Sequence, residues 1–238
     1  MQKIVVFCDY DGTIIENDAC DLLMERFSSP NWEEPGKKYL ANQISHSEMN
    51  EAFARNIVAT KGQLIDLVRS KIIIRDGFQE FYSKLQSLSA TLVVISGGWE
   101  LYISEVLSEI SFNYIESIDM LVDHIISGKS EVSLVTNRLV NSFSESNWEI
   151  LTPWGEHSCQ KSTPCKGIIL DAIKKLGYYT IAIGNSETDI CMAEKADYVF
   201  ATGSLPNQLR QKSIKHYPFT SFNQVSKSLQ SLINLKSN

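Results

Sequence analysis

The chain has 238 residues, 43% of them hydrophobic and 21% charged, which suits one soluble globular domain or one domain carrying a smaller insert. A net charge of −6 with no Lys/Arg block argues against a nucleic-acid partner, and no segment approaches the roughly 20 apolar residues of a membrane span. The N-terminus lacks the series of a secretory signal, and the five cysteines (Cys8, Cys20, Cys159, Cys165, Cys191) are odd in number and scattered, so reduced thiols in the cytoplasm are expected.

Residues 3–8 form an almost unbroken apolar run, as in a strand buried on both faces of a parallel sheet, and DYDGT (9–13) follows at once. Residues 18–27 place Cys20, Leu23, Met24 and Phe27 on one helical face, with Asp18 as N-cap. Residues 18–76 read as several helices broken at Ser28-Ser29-Pro30, too long for a single crossover. A helix over 77–88 and a strand over 91–95 come next, the strand ending in the turn Ser96-Gly97-Gly98. Residues 112–160 fall outside the alternation, and SLVTNRLVNSF with NWEILTPW predicts a hairpin and loop. Residues 166–176 form a helix stopped by Gly177, and strands over 180–183 and 197–200 complete the pattern. Strands alternating with helices predict an α/β fold: a doubly wound, Rossmann-like parallel sheet with a helical cap inserted after the first strand. The expected division is a core of 1–14 and 85–238 with a cap of 15–84. No internal repeat or low-complexity tract is present, and no oligomeric state follows from the sequence.

Ligands of such sheets bind beyond the carboxyl ends of the strands, near the topological switch point. That rule gathers Asp9 and Asp11, Ser96 and Gly97, Lys166, and the run Gly184-Asn185-Ser186-Glu187-Thr188-Asp189 into one site. Carboxylates two residues apart repel, and hard oxygens suit Mg²⁺, which offsets that repulsion. A cation and an ammonium lower the barrier for a carboxylate meeting a phosphate dianion, and Ser96 with nearby backbone N–H groups suits phosphate oxygens. Lys166 opens a helix, where a cation is unfavourable, so its presence hints at a neighbouring anion; Lys161 is the fallback.

Taken in order, DYDGT, VVISGG, Lys166 and GNSETD resemble the four motifs of the haloacid dehalogenase superfamily, in its phosphatase branch. The resemblance implies a phosphoric monoester hydrolase using Mg²⁺. Asp9 would be the nucleophile that forms an aspartyl-phosphate, and Asp11 the acid and then base. Ser96 and Gly97 would bind phosphate, Lys166 would order and neutralise it, and Asp9, Asp11, Asn185 and Asp189 would hold the metal. Across DGTIIENDA, Pro30-Asn31-Trp32, IRDGFQEF, VISGG, HSC and DYVFA the chain is also similar to the methionine-salvage phosphatases. That implies a small phosphorylated metabolite, 2-hydroxy-3-keto-5-methylthiopentenyl-1-phosphate, as substrate. Phosphoserine phosphatases are the neighbouring subgroup; their amine-reading glutamate corresponds to Asp18 here, which weakens that alternative. Most members carry Asp at the place of Asn185, so weaker Mg²⁺ binding than in relatives is expected.

Set against the enzyme is a non-enzymatic phosphate-binding or phospho-accepting module, which would need neither Asp11 nor a long cap. Phe27, Trp32 and Phe53 either fill the cap's own core or line a pocket for a thioether tail, with the core preferred; Trp99 poses the same choice. His157, Cys159 and Cys165 lack a CxxC pair, so a structural loop is preferred over zinc.

Overall fold

The first strand, β1 (Ile4–Cys8), shows why its residues are apolar throughout. Val6 and Cys8 point into one hydrophobic cluster, and Val5 and Phe7 into another on the opposite face. Side chains alternate across a strand, so a strand covered on both sides must be apolar at every position. The computed structural model describes residues 3–129, 131–141 and 147–236.

After β1 come helices α1 (Ala19–Phe27), α2 (Glu34–Leu40), α3 (His46–Asn56), α4 (Lys61–Lys71) and α5 (Phe78–Ser87). Strand β2 (Thr91–Trp99), α6 (Glu100–Val106), β3 (Phe112–Tyr114), α7 (Ile118–Ser127), β4 (Val132–Asn141) and β5 (Trp148–Leu151) follow. The chain continues through α8 (Lys166–Lys175), β6 (Tyr179–Gly184), α9 (Ile190–Ala193), β7 (Tyr198–Ala201), α10 (Leu205–Gln211), β8 (Tyr217–Pro218) and α11 (Phe222–Lys236). The sheet order is β3-β4-β2-β1-β6-β7-β8, all parallel, with β5 antiparallel on β4. The doubly wound α/β expectation therefore holds. β1 lies at the centre, where the chain first winds one way to β2 and later the other way to β6.

The helical run before β2 is built from strong local signals. Asp18 accepts from the Asp21 N–H at the start of α1. Ser45 with Glu48, and Thr60 with Gln63, form capping boxes on α3 and α4. An antiparallel bridge between Ile15 and Ile74 closes the base of this run. The Arg75 guanidinium donates to the Thr13 and Gly12 carbonyls at 2.8 Å each, tying the returning chain to the turn after β1. α5 then packs on α11 through Phe78, Phe81 and Phe222, so the expected division at 84/85 runs through this helix.

Two sequence expectations change. β2 does not end at residue 95 but continues to Trp99, with a register shift against β4 between Ile95 and Trp99. Side chains of β4 take over the pairing there: Thr136 Oγ1 donates to the Gly98 carbonyl, and Asn137 Nδ2 to the Gly97 carbonyl. The stretch 112–160 is not outside the alternation: β3, α7 and β4 form a parallel unit, and β4 is a core strand beside β2. Its buried Ser133, Thr136 and Asn137 interrupt the apolar run that marks the other core strands. The predicted antiparallel pairing does occur, from Arg138–Leu151 to Asn141–Trp148, while its connection at 142–146 lies outside the described residues. Among the described residues, no helix is long and apolar enough to cross a membrane.

Candidate active site

The parallel pairing brings the ends of β1, β2 and β6 together, and four separated stretches meet there. The turn after β1 is irregular, with Gly12 at φ 69°. A Cβ at Gly12 would collide with the Asn185 amide, so glycine is required for both the conformation and the close approach. Asp9, 5% exposed, accepts at Oδ1 from Lys166 Nζ at 2.6 Å and at Oδ2 from the Thr13 hydroxyl at 3.1 Å. Asp11 is held separately: Oδ1 accepts from the Ala19 N–H at 2.9 Å, and Oδ2 from the Tyr102 hydroxyl at 3.0 Å. The two carboxylates thus have no partner in common.

Lys166 begins α8 but is not a solvated first-turn lysine. It is 1% exposed, and its ammonium donates at 2.6 Å to both Asp9 Oδ1 and Asp189 Oδ1. The other oxygen of Asp189 accepts from the backbone N–H groups of Asn185 and Ser186, at 2.8 and 3.1 Å. The sequence places Asp189 among the metal-holding oxygens. In the structure both its oxygens are engaged, and it stands behind the cavity rather than on its lining. The Lys161 fallback falls away, because that side chain is half-exposed and paired with Glu187 at 2.6 Å.

Two buried carboxylates therefore face one ammonium. Burial, and then the Asp189 charge, raise the Asp9 carboxyl to about 7 in spite of Lys166. Burial opposes the charge on Lys166, but Asp189 and Asp9 outweigh it, and the lysine is held above its usual range. Asp11 is pushed well above the carboxylate range by burial and by Asp18. The two carboxyl shifts follow from moving like charges out of water with too little countercharge, and the lysine shift from having two anionic partners.

Ser96 is buried, and its Oγ accepts from the Gly98 N–H at 3.0 Å while its hydroxyl faces the cavity lining. It does not cap α6, whose first turn begins after Trp99. The cavity of about 670 Å³ is lined at its floor by Asp9, Asp11, Ser96, Gly97, Lys166 and Asn185, and toward α1–α3 by Asp21, Trp32, Met49 and Phe53. Trp32 and Phe53 make an edge contact at 6.2 Å, pack against the hydrophobic core and also line the cavity. Phe27 and Trp99 pack into the core instead. His157 packs near Trp154, away from the cavity. Among the described residues, no group of three or more His, Cys, Asp or Glu side chains is disposed to hold a metal ion.

Sequence reasoning passed over Arg75, Tyr102, His46 and Asn50. His46 and Asn50 did leave a signal. They occupy buried positions of α3 together with Phe53 and Ala54, at the i, i+4, i+7, i+8 spacing of an apolar stripe. Polar residues on such a stripe have a partner or a task.

A 2-hydroxy-3-keto-5-methylthiopentenyl-1-phosphate phosphatase of Geobacillus thermodenitrificans (strain NG80-2) is 29% identical over 237 residues, covering 97% of each chain. One of the same description from Brevibacillus brevis (strain 47 / JCM 6285 / NBRC 100599) is 28% identical over 232 residues, covering 96% of each. Among solved structures, a substrate-bound phosphoserine phosphatase complex superposes with TM-score 0.65 at 16% identity, covering 96% of this chain and 98% of that one, which is a likeness of fold. A family profile described as haloacid dehalogenase-like hydrolase matches residues 6–147, more than half of the sequence, so the chain belongs to the haloacid dehalogenase-like hydrolases.

Proposed function

We propose that this chain is a phosphomonoesterase that works through an aspartyl-phosphate, with the helices α1–α4, most of the expected 15–84 insert, acting as a cap over the α/β core and α5 belonging to that core. The carrying observation is the Lys166 ammonium clamped between Asp9 and Asp189 beside an independently held Asp11. An oxygen of Asp9 attacks phosphorus, the bond to the leaving oxygen breaks, and Asp11 gives that oxygen its proton. Asp11 then takes a proton from water, whose oxygen attacks phosphorus and releases phosphate and free Asp9. A carboxyl group held above its ordinary range suits the first, acidic role. Lys166 balances charge as the dianion approaches Asp9, Ser96 and Gly97 hold phosphoryl oxygens, and Asp189 keeps Lys166 and the 185–186 backbone in place.

The residues present fit Mg²⁺. Asp9, Asp11 and Asn185 supply hard oxygens on the cavity floor, and the buried carboxylates carry more negative charge than Lys166 balances. When bound, the ion would neutralise charge on the phosphoryl group. The names of the similar chains support 2-hydroxy-3-keto-5-methylthiopentenyl-1-phosphate as the small phosphorylated substrate, ahead of phosphoserine. Free cysteines fit a reducing, cytoplasmic setting.

Hydrolysis of p-nitrophenyl phosphate across Mg²⁺ concentrations tests this proposal. Metal-dependent turnover is expected, and Asn185→Asp should lower the half-saturating Mg²⁺ concentration roughly tenfold by adding a charged ligand. An unchanged metal requirement in the variant would refute the weak-ligand idea. A folded wild type that turns over nothing with added metal would favour the binding module. Ranking the methionine-salvage intermediate and phosphoserine by kcat/KM then decides the substrate.

A further inference from the structure

We propose that His46, on the helical insert, donates a hydrogen bond from Nε2 to the phosphoryl group of the bound ligand. This deepens the phosphatase reading above and rests on it for the identity of the ligand. His46 is the first residue of α3, 7% exposed, and it lines the same cavity as Ser96, Gly97 and Lys166.

The neighbours of the ring determine which nitrogen carries its proton. The Thr163 N–H lies 3.3 Å from Nδ1, and a backbone N–H can only donate. Asn50 Nδ2 lies 3.0 Å from the same nitrogen. The Asn50 amide is oriented by Trp99, whose indole N–H, also a pure donor, gives to Oδ1 at 3.2 Å, and by the Gly97 carbonyl, which accepts from Nδ2 at 3.2 Å. Nδ1 is therefore the acceptor, and the proton of the neutral ring sits on Nε2. Burial, with the charge of Lys166, drives the imidazole down to about 4, so the ring is neutral at physiological pH.

Nε2 has no hydrogen-bond partner among the described residues. The ring lines the cavity, so this nitrogen is open to a ligand there. The Nε2 edge rests on Gly97: a Cβ there would lie 2.6 Å from Cε1 and 2.8 Å from Nε2. Gly97 has no room for a side chain because the ring occupies that space. The Nε2 edge therefore lies beside Gly97 in the cavity that Ser96 and Lys166 also line, within the space an anion bound by those residues would occupy. A neutral donor suits this position, because a second cation would repel Lys166.

Three readouts test the assignment. Titration calorimetry with inorganic phosphate and Mg²⁺ compares wild type, His46→Leu and His46→Gln, and kcat/KM is measured for p-nitrophenyl phosphate and for an alkyl phosphate. The leucine variant is expected to lose about ten- to a hundredfold in phosphate affinity, and a similar factor in kcat/KM for both substrates, since the phosphoryl group is what they share. Glutamine, which keeps a donor, should recover most of the loss. Unchanged phosphate affinity in the leucine variant, or a loss confined to one substrate, overturns the proposal. ¹⁵N NMR of the wild-type ring needs no variant. A proton on Nε2 and a shift of that nitrogen on adding phosphate support the assignment, and a proton on Nδ1 overturns it. Should wild type bind phosphate through His46 yet turn over no ester, the phosphatase reading fails and this one stands.

Discussion

Replacing Asp9 by Asn is expected to lower phosphomonoesterase kcat by at least roughly 10³-fold while leaving the fold intact. The amide keeps the volume: its oxygen accepts from Lys166 in place of Oδ1, and its NH₂, in place of Oδ2, donates to the Thr13 hydroxyl oxygen, but the amide oxygen is too weak a nucleophile to displace an alkoxide. Stability should change by less than about 1 kcal/mol, because Lys166 retains Asp189 as its charge partner and one strained buried carboxylate is removed. Steady-state kinetics and denaturant melts on the same preparation check both halves. Turnover within tenfold of wild type would remove Asp9 from the chemistry.

Lys166→Met is expected to cost about 3–5 kcal/mol of stability at neutral pH and to abolish turnover. Methionine fills most of the space, so the loss comes from charge. Asp9 and Asp189 would face each other in a dry site without an ammonium. The pH dependence follows from the direction of the Asp9 shift. A buried acid with a raised folded-state pKa destabilises the fold once pH exceeds its unfolded value, and protonation relieves that penalty. Asp9 already titrates at about 7 with the lysine present, and without it the value rises further. The defect should accordingly be smaller at pH 6 than at pH 8, read from urea midpoints at both. An equal or larger defect at pH 6 would mean that Lys166 stabilises by packing rather than by charge.

What the sequence revealed and what it hid follow one pattern. β1 was legible because burial on both faces demands an unbroken apolar run, and α1 because Asp18 caps it locally. The convergence of Asp9, Asp11, Lys166 and Asn185 on one cavity was legible because short motifs fix them near strand and helix ends. β4 was hidden because Ser133, Thr136 and Asn137 are polar yet buried, bonded to His124 on the preceding helix and to Gly98, Gly97 and Thr163 more than twenty residues away. Tyr102 and Arg75 were hidden for the same reason. Their partners, Asp11 and the Gly12 and Thr13 carbonyls, lie more than sixty residues away, and no spacing rule reaches so far. The tasks of Asp189 separate only in three dimensions, where one oxygen meets Lys166 and the other the 185–186 backbone.

The most direct test of covalent catalysis uses Asp11→Asn with p-nitrophenyl phosphate and Mg²⁺. This leaving group needs no acid, so the phosphoryl group should reach Asp9 and then wait for a missing base. Rapid acid quenching and borohydride reduction, followed by peptide mass spectrometry, should find homoserine at position 9. An unmodified Asp9 alongside released p-nitrophenolate, or homoserine at position 189 instead, would contradict the account.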